Sequence, residues 1–352
     1  MRQVRFDRQW GPWENVGMTE NAGIRARMKE WGLSFVSVED GTSLTYRALY
    51  GKKVPPPVIL GFDPKDIFLF TSDRSMVEHP IVGAIQNAFE ASFVKDISLE
   101  NESFLKDHSH QGKPLVPAAY LMSMVASMGR AQFGRSVAVE NFEIQNVMVL
   151  EDGHFQAKMQ AFFREPHDVR IYSVVPHCTA RLNPADEPLK VVAPPFKPSR
   201  RIDLGDFTQS WAIDIGPTFA LLGKADLDET RRLRLEVDTA TFPQYTGETY
   251  FDFVLALAEL AFESITVQAM IDVQWVSIPV TAKRFAFAPN VELTRILRIR
   301  PIMRAANYAR FWEGDILIEN DRGEVVGEMI DVKAQLHPIE KPTRYMERLE
   351  LR

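Results

Sequence analysis

Apolar and polar positions along the chain fall into two blocks that repeat one order. In the first block, strand-like alternation over 88–97 precedes a single apolar helix pattern from about 117 to 129. Alternation then returns over 142–150, 155–163 and 170–182. In the second block, a short element over 211–222 and a strand over 232–238 precede a long helix over 249–269. Strands follow over 276–288, 298–312, 314–319 and 325–335. Strand, helix and a meander of strands, occurring twice, predict an α+β protein of two similar halves. A Pro/Lys/Arg-rich connector over about 192–201 divides them, and a second proline cluster is Pro55-Pro56-Pro57. The residues ahead of the first block do not make a complete domain. They show two short helical patterns, 24–31 and 38–50, and one apolar strand, Val58-Ile59-Leu60-Gly61.

Composition narrows the function class. The chain has 352 residues, 45% hydrophobic and 25% charged, as a globular protein does. A net charge of -6 with scattered basic side chains gives no footprint for nucleic acid. The lone cysteine, Cys178, excludes an intrachain disulfide framework and a cysteine metal cluster, and a reducing cytoplasm is the expected compartment. The first residues lack the apolar core of a signal peptide. No apolar run is read as reaching the roughly 20 residues of a membrane span, so no membrane is expected. There is no GxGxxG, P-loop, GxSxG or HxxxH pattern, which leaves dinucleotide, nucleotide, serine-hydrolase and zinc chemistry without a motif.

Candidate chemistry sits at the start of the first helix. Asp107-His108-Ser109-His110-Gln111-Gly112-Lys113-Pro114-Leu115-Val116-Pro117 leads directly into Ala118-Ala119-Tyr120-Leu121. His108, Gly112 and Pro117 resemble the HxxxGxxxxP signature of polyketide synthase dehydratase domains. Those domains are double hotdogs: two tandem folds in which a curved antiparallel sheet wraps a long helix. The resemblance implies that His108 is a catalytic base. A neutral imidazole has suitable proton affinity near pH 7. Gly112 would let the backbone approach a thioester carbonyl, and Pro117 suits the first turn of a helix. His110, two residues from His108 on an extended segment, faces the other way and reads as surface.

The second half holds the remaining resemblances. Ile215-Gly216-Pro217-Thr218-Phe219 is similar to the family's YGPxF turn, with isoleucine in place of tyrosine; Gly216, Pro217 and Phe219 become substrate-binding candidates. Phe251-Asp252-Phe253-Val254-Leu255-Ala256 stands where the family shows DxxxQ or DxxxH. Asp252 is the candidate acid, and Ala256 replaces the residue that would orient it. Glu259 and Glu263 lie on roughly the same helix face; either is a second candidate acid, or the face is solvated. Ile278-Pro279-Val280-Thr281 resembles the family's LPxxW-like strand entry, His177-Cys178-Thr179-Ala180-Arg181 resembles a strand of the first half, and His79-Pro80 resembles the family's domain opening; all three read as architectural. Met122, Met124 and Met128 read as helix core.

The N-terminal segment, with its Trp10-Gly11-Pro12-Trp13 and Val16-Gly17-Met18 turn, resembles the C-terminal end of a polyketide synthase ketoreductase. The expected organisation is a non-catalytic ketoreductase remnant over 1–62, a linker over 63–78, hotdogs over 79–200 and 201–340, and a tail over 341–352. A ketoreductase end running into a dehydratase resembles iterative synthases of the polyunsaturated fatty acid, enediyne or heterocyst glycolipid kind. The implied function is dehydration of a 3-hydroxyacyl thioester on the phosphopantetheine of an acyl carrier protein. No bound cofactor and no metal are expected, and a homodimer working with other synthase domains is. Arg231, Arg232 and Arg234, or Lys197, Arg200 and Arg201, are candidate docking positions for an acidic carrier protein. The competing readings are a catalytically silent scaffold or dimerisation domain and a hotdog isomerase or cyclase. Ala256 and Ile215 keep the scaffold open.

Overall fold

The computed structural model describes residues 13–30, 35–39, 42, 84–87, 92–133, 135–150, 152–161, 167–185, 187–204, 214–273, 275–288, 295–307 and 311–338. It separates into two units, Met1–Val77 and Glu78–Arg352. In the first unit a 3-10 turn, Gly17–Glu20, precedes helix α1, Ala22–Glu30. Asn21 caps this helix, its side-chain oxygen accepting the amides of Gly23 and Ile24 at 2.9 and 3.2 Å. Trp13 bridges Val36 in parallel. Residues 38, 39 and 42 of the second helical pattern are helical. The rest of that pattern, the strand at 58–61 and His79-Pro80 lie outside the described residues.

The second unit contains two copies of one strand order. The first copy comprises β1 (Ala84–Asn87), β2 (Ser92–Ser98), α2 (Ala118–Phe133), β5 (Ala138–Ile144), β6 (His154–Ala161), β7 (Asp168–Tyr172) and β8 (Pro176–Asn183). Between β2 and α2 lie the short strands β3 (His108–His110) and β4 (Lys113–Pro114). The second copy comprises β9 (Pro198–Asp203), β10 (Asp214–Ile215), β11 (Lys224–Asp228), β12 (Leu233–Asp238), α3 (Thr249–Val273), β13 (Trp275–Phe287), β14 (Ile296–Asn307), β15 (Phe311–Asn320) and β16 (Val325–Pro338). Among the described residues, thirteen strands form one antiparallel sheet in the order β1-β2-β6-β7-β8-β5-β13-β16-β15-β14-β12-β11-β9. From the centre outward, β5-β8-β7-β6-β2-β1 mirrors β13-β16-β15-β14-β12-β11, so the two halves share one topology. They join where the first strand after each helix pairs with the other, Phe142 opposite Ala282 and Glu140 opposite Arg284.

Each helix packs on the strands of its own half, α2 on β5 and β8 and α3 on β12 to β15, and the two helices pack on each other. This is the double hotdog plan. From Val254 to Leu260 every residue of α3 is buried, Glu259 included. A helix hydrophobic on all sides has to be a core helix. It is also long and apolar enough to cross a bilayer, contrary to the sequence expectation, but its surface is buried within the fold.

The structure corrects several element boundaries. The expected strand over 142–150 ends at Ile144, and only Val149 of its remainder makes a bridge, to Leu115. The run over 170–182 is two strands, β7 and β8, turning at Ser173–Val175. The run over 298–312 ends at Asn307, and Phe311 and Trp312 begin β15. Strands β9 and β11 were not separated from loop by the sequence pattern.

A buried ionic cluster crosses the junction of the halves. Arg284 of β13 lies within 3.1 Å of Glu140 on β5, 2.8 Å of Glu187 in the segment that leads from β8 into the connector, and 3.3 Å of Glu328 on β16. Glu328, fully buried, also accepts the amides of Lys190 and Val191 at 2.7 and 3.0 Å. Farther along the connector, Arg300 donates to the Pro194 carbonyl at 2.7 Å and lies over the Phe196 ring together with Arg234. Glutamates and arginines of the sheet thus strap the connector down.

Candidate active site

His108 opens β3 and is buried. Its Nδ1 lies 3.1 Å from the Leu115 carbonyl oxygen. A carbonyl only accepts, so Nδ1 carries the proton and the neutral ring presents Nε2 as an unprotonated base. Burial pushes the imidazole down to about 4, against which backbone hydrogen bonds act only weakly. The ring is therefore neutral at pH 7. The Leu115 amide returns a bond to the His108 carbonyl at 2.8 Å, which holds the histidine beside Leu115, three residues ahead of α2. Pro117 stands just ahead of that helix, its carbonyl accepting the amides of Tyr120 and Leu121. The first amides of α2, Ala118 and Ala119, fall in the turn that helix geometry leaves without intrahelical acceptors.

Gly112 has a conformational role. His110 pairs with Lys113 across a two-residue turn in which Gln111 and Gly112 have φ of 51° and 75°. That is the left-handed pair of a tight hairpin, for which glycine at the second position is the favoured choice. A Cβ on Gly112 would meet nothing within 4 Å, so the reason visible here is the turn. His110, at the hairpin end, is exposed. An open depression of about 430 Å³ lies beside this hairpin, lined by Gly112, Lys113, Pro114, Leu150, Asp152 and Gly153. Neither His108 nor Asp252 lines it.

The Gly-Pro turn of the second half is brought directly to His108. Strand β10 pairs with β3, Ile215 opposite His108 and Asp214 opposite Ser109. The Gly216 amide donates to the Asp107 carbonyl at 2.7 Å. The Asp107 carboxylate accepts the Thr218 amide at 2.9 Å and also the Thr218 hydroxyl. A Cβ at Gly216 would stand 2.5 Å from that carboxylate, which explains the glycine. Pro217 is exposed at the turn, and Phe219, fully buried, meets the His108 ring edge-on at 5.7 Å.

Asp252 is buried in the first turn of α3. Its Oδ1 accepts the Thr246 amide and hydroxyl at 2.9 and 2.8 Å, and its Oδ2 the Gly247 amide at 3.0 Å. The carboxylate thus ties down the loop that enters the helix. A run of ring contacts connects the two candidates: His108 to Phe219, Phe219 to Phe104 at 6.0 Å, Phe104 to Tyr120 at 6.2 Å, and Tyr120 to Phe251 at 5.3 Å, beside Asp252. Both halves contribute to this aromatic wall.

Glu259 and Glu263 do not lie on a solvated face; both are buried. Both oxygens of Glu263 lack a hydrogen-bond partner. Burial pushes Glu259 up to about 7, and burial together with the charge of Glu259 raises Glu263 as well. The sequence pattern, read as a helix face of unknown exposure, could not place them inside.

The other candidates are structural in their contacts. His177 is bonded on both ring nitrogens, to the Ser173 hydroxyl at 2.8 Å and the Asn146 carbonyl at 3.2 Å. Cys178 is buried, its thiol pushed up by desolvation. Of the basic docking candidates, Arg201 pairs with Glu236, Arg232 with Asp228 and Arg234 with Asp226, and Arg231 donates to the Ile271 carbonyl at 2.6 Å. Much of that charge is neutralised in place. Among the described residues, no group of three or more His, Cys, Asp or Glu side chains is arranged to hold a metal ion.

Residues 79–175 match the model of the polyketide synthase dehydratase domain. That stretch includes His108, Gly112 and Pro117 in the geometry above. The match lies within the first of the two halves and makes that stretch similar to the N-terminal part of a polyketide synthase dehydratase domain. No curated protein matches the chain. Solved dehydratase domains share the fold of this chain. The domain from the CurF module of curacin polyketide synthase is 17% identical, with a TM-score of 0.59 over 75% of this chain and 100% of that one. The CurJ module domain is 15% identical, with a TM-score of 0.59 over 74% and 98%. The dehydratase domain of PpsC from Mycobacterium tuberculosis, solved with C12:1-CoA, is 14% identical, with a TM-score of 0.60 over 74% and 100%. At these identities the structural likeness is one of fold.

Proposed function

We propose that this dehydratase domain eliminates water from 3-hydroxyacyl thioesters delivered on the phosphopantetheine arm of an acyl carrier protein, with His108 as the base. One observation carries the reading: a buried imidazole whose Nδ1 proton is held by the Leu115 carbonyl, with Nε2 left to accept a proton. Nε2 takes a proton from the α-carbon of the thioester. The electron pair left behind forms the double bond to the β-carbon, and the β-hydroxyl leaves with a proton as water. Negative charge developing on the thioester oxygen is met by the open amides at the start of α2. Phe219 packs against the base, Gly216 seats the Gly-Pro turn on Asp107 beside it, and Gly112 turns the hairpin that carries it. Leaving-group protonation falls to α3. Asp252, in its acid form, is the first donor; the three hydrogen bonds it accepts fix its position at the helix entrance. Glu259, which burial raises to about 7, is the second. The histidine's captured proton replaces the one lost by the acid, so the cycle closes with water and the 2-enoyl thioester.

The test is incubation with a 3-hydroxyacyl carrier protein, followed by intact mass and product structure. Loss of one water to give a 2-enoyl chain supports the reading. A shifted alkene or a ring points to an isomerase or cyclase, and binding without turnover to a scaffold. Asp252→Asn against Glu259→Gln separates the two acids, because only removal of the true donor lowers kcat by about 10²-fold or more.

A further inference from the structure

Tyr245 lies in the loop ahead of α3, and no motif drew attention to it. Its side chain is 8% exposed. Its ring stacks on Phe219, centroids 5.5 Å apart and planes 27° from parallel, and stands edge-on to Phe104 at 5.0 Å. Its hydroxyl donates to the Thr218 carbonyl at 3.1 Å. Phe219 is the residue whose ring meets His108, and Thr218 is the residue whose amide and hydroxyl hold Asp107, the neighbour of His108. On its other side the loop is pinned one and two residues later, where Thr246 and Gly247 donate to Asp252. A connected series of contacts therefore runs from Asp252 through 246–247 to Tyr245, and from Tyr245 through Thr218 and Phe219 to Asp107 and His108.

We infer that Tyr245 is a positioning residue of the dehydration site: it holds the Gly216–Phe219 turn in register with the entrance of α3 and thereby fixes the His108 ring relative to Asp252. The inference rests on the proposed dehydratase reading. The turn's own first residue is Ile215, which has no hydroxyl, and the phenol bonded to this turn comes from Tyr245. Burial and the nearby carboxyls of Glu259, Glu263 and Asp252 push the phenol up, so it stays a donor.

The experiment compares Tyr245→Phe and Tyr245→Leu with the full chain in two readouts. The first is kcat and KM for a 3-hydroxyacyl thioester of N-acetylcysteamine. Tyr245→Phe keeps the ring and loses the bond, so kcat falls by about tenfold with KM nearly unchanged, on the order of one net hydrogen bond. Tyr245→Leu loses both and falls further, with KM rising. The second readout is the His108 imidazole signal in two-bond ¹H–¹⁵N spectra, which needs no turnover. Tyr245→Phe shifts it while the melting temperature stays within a few degrees of wild type. Wild-type kcat in Tyr245→Phe with an unmoved His108 signal overturns the inference. A wild-type protein that does not turn over, yet whose His108 signal moves in Tyr245→Phe, overturns the dehydratase reading and leaves the positional link standing.

Discussion

His108 is a weaker base than a free imidazole because its surroundings are dry, and the same dryness gives a signature in stability. The folded ring titrates at about 4 and the unfolded one near 6.5. Between those values the unfolded chain binds a proton that the native state does not, so stability falls as the pH drops through that window. Denaturant unfolding of wild type should lose up to about 3 kcal/mol more than His108→Gln between pH 7 and pH 4; equal slopes would mean the ring is wet. Gly216→Ala makes a second test at this scale. Its Cβ would collide with the Asp107 carboxylate, so the variant should lose about 1–3 kcal/mol and displace His108, visible as a lower melting temperature and lower turnover. The spacing of His108, Gly112 and Pro117 and the Gly-Pro turn were legible in the sequence because tight turns impose fixed residue types at fixed offsets. Tyr245 was not legible. Stacking and a side-chain bond to a backbone carbonyl across 27 residues leave no local pattern.

Helix α3 shows why some elements are easier to read than others. Its length and apolar character identified it, but a helix buried on every side has no polar face to set its orientation. Whether Glu259 and Glu263 faced water therefore depended on tertiary packing alone. Their burial makes a prediction opposite in sign to that of His108. Both carboxyls are raised in the native state, so the unfolded chain loses protons first and stability falls as the pH rises above about 4.5, through about 7 for Glu259, with Glu263 acting in the same direction. Glu263→Gln should raise the melting temperature at pH 8 and change it little at pH 4.5. A variant destabilised equally at both values would show that these carboxyls make bonds the fold depends on. Strand limits were less legible for a different reason. The alternation of β7 continues through Ser173–Val175 into β8, and Val174, fully exposed at the turn, looks like any strand valine.

At the scale of the whole molecule, the repeated order of elements told of two similar halves before any geometry was known. How the halves join was not written in that order. The junction is the β5–β13 pair, closed by Arg284 among Glu140, Glu187 and Glu328. Arg284→Ala leaves Glu328 buried without its cation, which should cost about 3–5 kcal/mol in chemical denaturation. Arg284→Met with Glu328→Leu should recover much of it, since paired apolar replacements remove both desolvated charges. A double variant no better than Arg284→Ala would point to the connector amides of Lys190 and Val191 as the larger contribution. The halves matter to function because the proposed base comes from one and the proposed acids from the other. The most direct measurement of that account is release of deuterium from the α-carbon of a 2-deuterated 3-hydroxyacyl thioester, in single turnover, by wild type and by His108→Gln of equal folded fraction. The account predicts release that keeps pace with alkene formation in wild type and falls by about 10²-fold or more in the variant. Release at the wild-type rate in His108→Gln would contradict it.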